Sequence, residues 1–375
     1  MDVLLPVPLR RFFLSLAMGA AGTGAFAAQP APMPAVETPP VWLGQGWSRS
    51  DSERFYSTTQ GSHLLPLAFF AELEQAGNTR PFNSPEITEK YRCIPRPKTT
   101  DNPYGLPVGF VPDKGSKLPS GLLADSRSMG FTCAACHTAQ INYRGTVLRI
   151  DGGPTLADFD GWTVALAEAL TATANHPDKF ARFAKKVLKD EAGNADKRKA
   201  VFTALQRTAA DRHRYLDENH SPVPYGYARL DAFGRIFNTA LSAIESKSRI
   251  TPNAPVSFPF LWDTGRCDTV QWTGNTPNPF PGSLARNVGE VVGVFGAIDT
   301  TDKRPPYGYA SSVRFDDLLR LEKLVRHLQP PAWPAKILGP VDARKADAGK
   351  ALFATHCADC HKKISSWTWL PFVET

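Results

Sequence analysis

Two five-residue stretches carry the strongest chemistry in the chain: Cys133-Ala134-Ala135-Cys136-His137 and Cys357-Ala358-Asp359-Cys360-His361. Both read Cys-x-x-Cys-His, the attachment pattern of c-type haem. Two thiols three residues apart on a helical turn can reach the two vinyl groups of one porphyrin. The His that follows lies under the iron as its proximal ligand. The motifs therefore point to two covalently attached heme c groups. Cys133, Cys136, Cys357 and Cys360 would bind them, and His137 and His361 would each ligate one iron. Paired Cys at this spacing also hold structural zinc, but zinc explains neither the trailing His nor the export signal described below.

What lies on the far side of each iron decides the chemistry. Met/His ligation is the usual arrangement of electron-carrying cytochromes c. The four methionines are Met1, Met18, Met33 and Met129, and none follows either motif. Met129 is four residues before Cys133, a poor position from which to reach the opposite haem face. The first haem is left with a distal His or an open position. The His candidates are His63, His176, His213, His220 and His327. An open, His-ligated haem binds oxygen or peroxide, so this position points toward catalysis rather than simple electron transfer.

The elements that must position these groups read as mostly α, with cytochrome c-like haem domains, long irregular loops and a few short strands. Residues 41–175 are expected to form a first haem c domain. It would contain a helix from Leu67, turns either side of Tyr104, a β-rich stretch over Ile141–Ile150 and a helix over Thr155–Thr173. Residues 176–330 would be a helical and loop region covering the first haem, with helices over Asp231–Ser246 and Val313–Leu328. Thr251–Gly289, rich in Pro, Trp and Gly, reads as a long irregular loop of the kind that is often functional. Residues 331–375 would begin a second haem c domain. Only 14 residues follow His361, so this domain is expected to be truncated at its C-terminal end.

Arg10-Arg11, the apolar run Phe12–Ala21 and Ala25-Phe26-Ala27 form the three parts of a signal peptide over residues 1–27. Residues 28–40 then make a flexible mature start. The apolar run is too short for a membrane span, so no span is expected after cleavage, and the chain reads as periplasmic or secreted in a bacterium. The net charge of +7 contains no Lys/Arg block. It suits docking to an acidic redox partner or an ordinary solvated surface, and no nucleic acid is expected. Cys93 and Cys267 are the two Cys outside the motifs. An oxidising compartment would permit a disulfide between them, and their positions leave this open.

Several connecting segments resemble the di-haem c-type cytochromes related to bacterial rubber oxygenase, within the wider cytochrome c peroxidase-like group. They are Gln60–Pro66, Tyr104–Phe110, Phe131–Asn142, Arg149–Pro154, Phe258–Asp263, Val270–Trp272 and Arg286–Glu290. The resemblance implies that His137 serves an active haem with a dioxygen-binding distal pocket lined by aromatic side chains. It implies that His361 serves a second, His/His-ligated haem whose far ligand comes from the C-terminal region. Trp262, Trp272 and Phe280 are the candidates for the distal pocket, with core packing as the alternative. Glu290 is the nearest plausible acid-base carboxylate for O–O cleavage, or else a helix cap or a partner of Arg286. The expected function is a periplasmic oxidoreductase of dioxygenase or peroxidase type, acting on a small-molecule substrate or with a redox partner protein. The alternatives are a pure electron-transfer cytochrome and an inactive remnant.

Overall fold

The computed structural model describes residues 39–115, 118–271, 276–304 and 308–359. The export signal, Trp272, Cys360 and His361 lie outside the described residues. Strands β1 (Val41–Trp42), β2 (Leu65–Pro66), β3 (Phe110–Asp113), β4 (Ser128–Phe131), β5 (Thr138–Tyr143) and β6 (Thr146–Asp151) surround the first Cys pair. Early helices are α1 (Arg49–Ser57), α2 (Leu67–Glu72), α3 (Pro85–Lys90) and α4 (Cys133–Cys136). There follow α5 (Phe159–Asn175), α6 (Pro177–Leu188), α7 (Ala195–Glu218), α8 (Ala232–Ala243), α9 (Gly282–Gly293) and α10 (Phe315–Arg326). Ala335–Leu338 and Ala343–His356 form α11 and α12.

The expectation of a mostly α, cytochrome c-like fold is overturned. Of the described residues 44% are helical and 14% are in strands, distributed over several small sheets, so the chain is an α/β mix. Two sheets matter for the site. In one, β4 pairs antiparallel with both β2 and β3; in the other, β6 pairs antiparallel with β5 and parallel with β1. The first Cys pair sits on the single helical turn between them. Most of these strands have two to four residues, too short for an alternating pattern to stand out. Within the stretch expected to be irregular, the structure contains most of α9 and a short antiparallel pair of Thr269–Val270 with Thr276–Pro277.

The helices start where capping chemistry favours it. Ser48 and Asp51 form a reciprocal capping box on α1, and Asp158 and Asn194 cap α5 and α7 with their side-chain oxygens. The apolar face of α5 presents Trp162, Leu166 and Leu170 to the main core. Trp162 is the hub, with ring centroids of Phe110, Phe131, Phe82 and Phe70 at 5.3, 5.6, 5.8 and 6.1 Å. Such tilted and edge-on pairs add to the burial of large apolar area. This core runs on through Phe183, Val187, Val201 and Leu205, so residues on both sides of position 175 share it.

Across the same junction, Glu74 is nearly enclosed and accepts two hydrogen bonds from Arg182 at 2.8 and 2.7 Å. Bonding to Arg182 holds its carboxyl below the usual range, against the opposing pull of burial, with Lys179 assisting. A depressed folded-state value adds stability that is present above the unfolded value near 4.5 and is lost as pH falls below it. Glu74→Gln is therefore expected to cost about 1–3 kcal/mol at neutral pH. In urea unfolding, the gap from wild type should shrink as pH falls below that value; a gap independent of pH would contradict this account.

Candidate haem attachment site

The turn α4 is set by what its two inner residues can tolerate. Ala134 and Ala135 are buried, one against Phe55, Tyr56, Ile94 and Val108, the other against the main core. Their small side chains let the backbone come close to the preceding loop. Gly109, at φ +75°, lies so near that a Cβ there would overlap the backbone nitrogen of Ala135. The amide of Thr132 donates to the Gly109 carbonyl at 2.8 Å, and the Thr155 amide donates to the Cys136 carbonyl at 3.0 Å. Clamped from both ends, the turn buries its alanines and leaves Cys133, Cys136 and His137 half-buried.

The imidazole of His137 has one committed nitrogen. Nδ1 lies 2.8 Å from the carbonyl oxygen of Pro259. A carbonyl can only accept, so Nδ1 carries the proton and Nε2 keeps its lone pair. Loss of solvation pulls the ring's pKa down to about 4, with the Pro259 bond opposing, so the ring is neutral at ordinary pH. The ring of Phe258 stands edge-on at 6.3 Å and is itself supported by Phe159 at 6.1 Å. A metal-binding His normally donates its second nitrogen in this manner, which fixes its tautomer and orientation.

Both thiols are disfavoured as anions. Burial pushes Cys133 up to about 12, with Glu290 adding to the effect and Gln60 opposing it, and Cys136 is raised by burial too. Gln60 Nε2 lies 2.6 Å from Cys133 Sγ. Glu290 has a raised carboxyl pKa, chiefly from desolvation, against which Arg286 acts at 3.8 Å. Arg286 in turn bonds to Asn278 Oδ1 at 2.9 Å and to Glu322 at 3.4 Å. The structure thus brings Glu290 into electrostatic reach of both thiols, in the company of Arg286.

The other sequence candidates are more dispersed. Trp262 is half-buried and stacked on Phe260 at 4.7 Å, three residues beyond the carbonyl that holds His137. Phe280 is 53% exposed. His63 bonds to Asp113 at 2.6 Å and His213 to Thr171 at 2.7 Å, while His176, His220 and His327 are exposed. Cys357 ends the exposed helix α12, and among the described residues nothing lies within 4 Å of a Cβ built on Gly349. Cys93 is a buried free thiol and Cys267 a half-buried one. Gln60 and Gly109 fall in segments that carry the family resemblance, yet their roles, like the Pro259 carbonyl, are set by backbone geometry that residue type does not announce.

The donor set fits a haem c. It comprises two thiols on one turn and a neutral imidazole with a free Nε2. Among the described residues no three His, Cys, Asp or Glu side chains converge as they would around an ion held by protein alone; a haem iron draws a single ligand from this turn. Among the described residues no helix is long and apolar enough to cross a membrane.

Comparison with known proteins gives one informative relative. Uncharacterized protein y4iJ of Sinorhizobium fredii is 32% identical over 353 residues, covering 86% of this chain and 57% of that protein. The chain therefore spans a little over half the length of this curated relative. No family model matches the chain, and no solved structure matches it.

Phe258→Ala removes the ring beside His137 from a position only 8% exposed. It should cost about 3–5 kcal/mol of stability in denaturant unfolding. A loss below about 1 kcal/mol would mean that this ring does not support the site.

Proposed function

We propose that the chain is an exported c-type haem oxidoreductase. In this reading Cys133 and Cys136 attach a heme c and His137 is its proximal ligand. The observation that carries the reading is the commitment of His137 Nδ1 to the Pro259 carbonyl, with Nε2 left free beside two thiols on one turn. The motif at Cys357 supports a second heme c that passes electrons. The segments resembling di-haem cytochromes related to rubber oxygenase support oxygen or peroxide as the small molecule handled at the first site. A haem bound there supplies redox-active iron and, where its sixth position is open, a place for oxygen or peroxide.

The chain's own groups have separable tasks. Cys133 and Cys136 anchor the porphyrin and fix its place relative to α4. His137 presents Nε2, and the main-chain carbonyl of Pro259 keeps the ring from turning. Phe258 and Phe159 keep water from the ring's edge. Glu290, whose desolvated carboxyl holds a proton more readily than an ordinary glutamate, is available to give or take one at its Oε atoms, and Arg286 limits that shift. Export, a small-molecule substrate and a redox partner protein complete the proposal.

The test is made on the full chain matured in a host that attaches haem c. Wild type should retain haem on a denaturing gel, and Cys133→Ala combined with Cys136→Ala should lose one equivalent. Low-temperature electron paramagnetic resonance of the ferric protein should contain a high-spin signal that His137→Ala alters. Absence of covalent haem in wild type overturns the proposal. Purely low-spin signals would overturn the open site and leave electron transfer.

A further inference from the structure

A cleft of about 350 Å³ lies between the loop-and-strand segment His63–Pro66 and one face of α7. Cys133, Cys136, His137, Gln60, Pro259 and Glu290 do not line it, although His63, one of the distal candidates, does. That volume is at the lower end of small-molecule pockets, which run from roughly 300 to 1,000 Å³. The α7 side is a stripe repeating at four-residue steps, through Ala200, Ala204 and Thr208 to Arg212. Opposite stand Leu64 and Leu65, both buried, with Leu118 at the same cleft. Leu64, Leu65, Leu118, Ala200 and Ala204 thus give the cleft an aliphatic side, beside a polar and charged one.

At the far end of the stripe is Arg212. Its side chain is 94% buried by relative exposure of 6%, and Nε and Nη1 have no hydrogen-bond partner. The guanidinium lies 4.8 Å from the ring centre of Phe295 and 5.8 Å from that of Tyr215. These faces hold the cation but do not neutralise it. Arg212 is in no ion pair among the described residues, and the adjacent Asp211 bonds to Arg214 at 2.8 Å. Arginine does not shed its proton in proteins, and a buried charge without a counter-charge is strongly unfavourable. Lys199 and Arg207 add exposed positive charge at the cleft, partly offset by Asp196. Asp113, which bonds to the cleft residue His63 at 2.6 Å, is already matched by Arg314 at 3.0 Å, so it offers Arg212 nothing.

We propose that this cleft binds a small carboxylate with an aliphatic body, its carboxylate against Arg212 and its chain along Leu64 and Leu65. The buried guanidinium selects an anion, and the aliphatic side selects a tail. A plain inorganic anion would leave that side wet, and an alcohol of the same length would leave the charge unmatched. The binding needs no haem chemistry and stands apart from the function proposed above.

Calorimetric titration of the haem-loaded full chain tests it, with octanoate, 1-octanol and inorganic phosphate as probes. Octanoate should bind at least tenfold more tightly than either of the others. Arg212→Met, which keeps bulk and removes charge, should weaken octanoate at least tenfold. Ala204→Phe fills the cleft without touching the guanidinium and should do the same, so it decides the matter if the Arg212 variant does not fold. The proposal is overturned if octanoate gives no binding heat at millimolar concentration, if phosphate matches it, or if a folded variant binds it as wild type does.

Discussion

The site depends on one close approach of backbone to backbone. The Cys133–Cys136 turn packs against Gly109 with no room for a side chain between them, and Ala134 and Ala135 are the inner residues that permit it. This contact fixes the turn's depth, and depth decides which of its groups remain reachable. A turn pushed outward would expose the thiols and break the Thr132–Gly109 hydrogen bond; one with larger inner residues could not enter the space between the two small sheets. The aromatic cluster around Trp162 supports the strand that leads into the turn, because Phe131, two residues before Cys133, is one of its members. Core packing and the placement of reactive groups are thus one structural problem here.

Electrostatics then divides the labour among the reactive groups. Burial works against charge on His137, on both thiols and on Glu290, so the region favours neutral forms throughout. A neutral imidazole is what a metal ligand must be. The cationic side of the balance is Arg286, held by four partners, Asn278, Asn287, Glu290 and Glu322. Elsewhere the same rule leaves an exception. Arg212 keeps a charge in a buried setting, with the Phe295 and Tyr215 rings against it and only the more distant pull of Asp211, itself paired with Arg214, to offset it.

The reactive turn was legible in the sequence because its signal is local: five residues on one turn determine their own spacing. Several helices were legible for a similar reason: α2, α8 and α10 lie within the limits expected from periodicity and turn residues, while α5 ends two residues past its expected limit. The fold class was not. The described strands are two to six residues long; β5 and β6 form a local hairpin, but β1 pairs with β6 and β2 with β4 across long stretches of sequence, and those pairings leave no local signal. Trp162 was invisible as a hub because an aromatic on a helix reads the same whether it touches one ring or four. Pro259 acts through its main chain, where residue identity carries no message. Arg212 stands among many charged residues of α7, and only the tertiary structure shows that it is enclosed.

The bond between His137 and Pro259 joins positions 122 residues apart. The Cys pair and its His can form their turn as soon as that short stretch of chain exists, yet the ring's orientation waits for a segment near residue 259 to dock. Forming the turn and orienting the ring are therefore set by different ranges of the sequence. The chain's long-range topology, rather than its five-residue motif, thus sets the direction of the His137 ring.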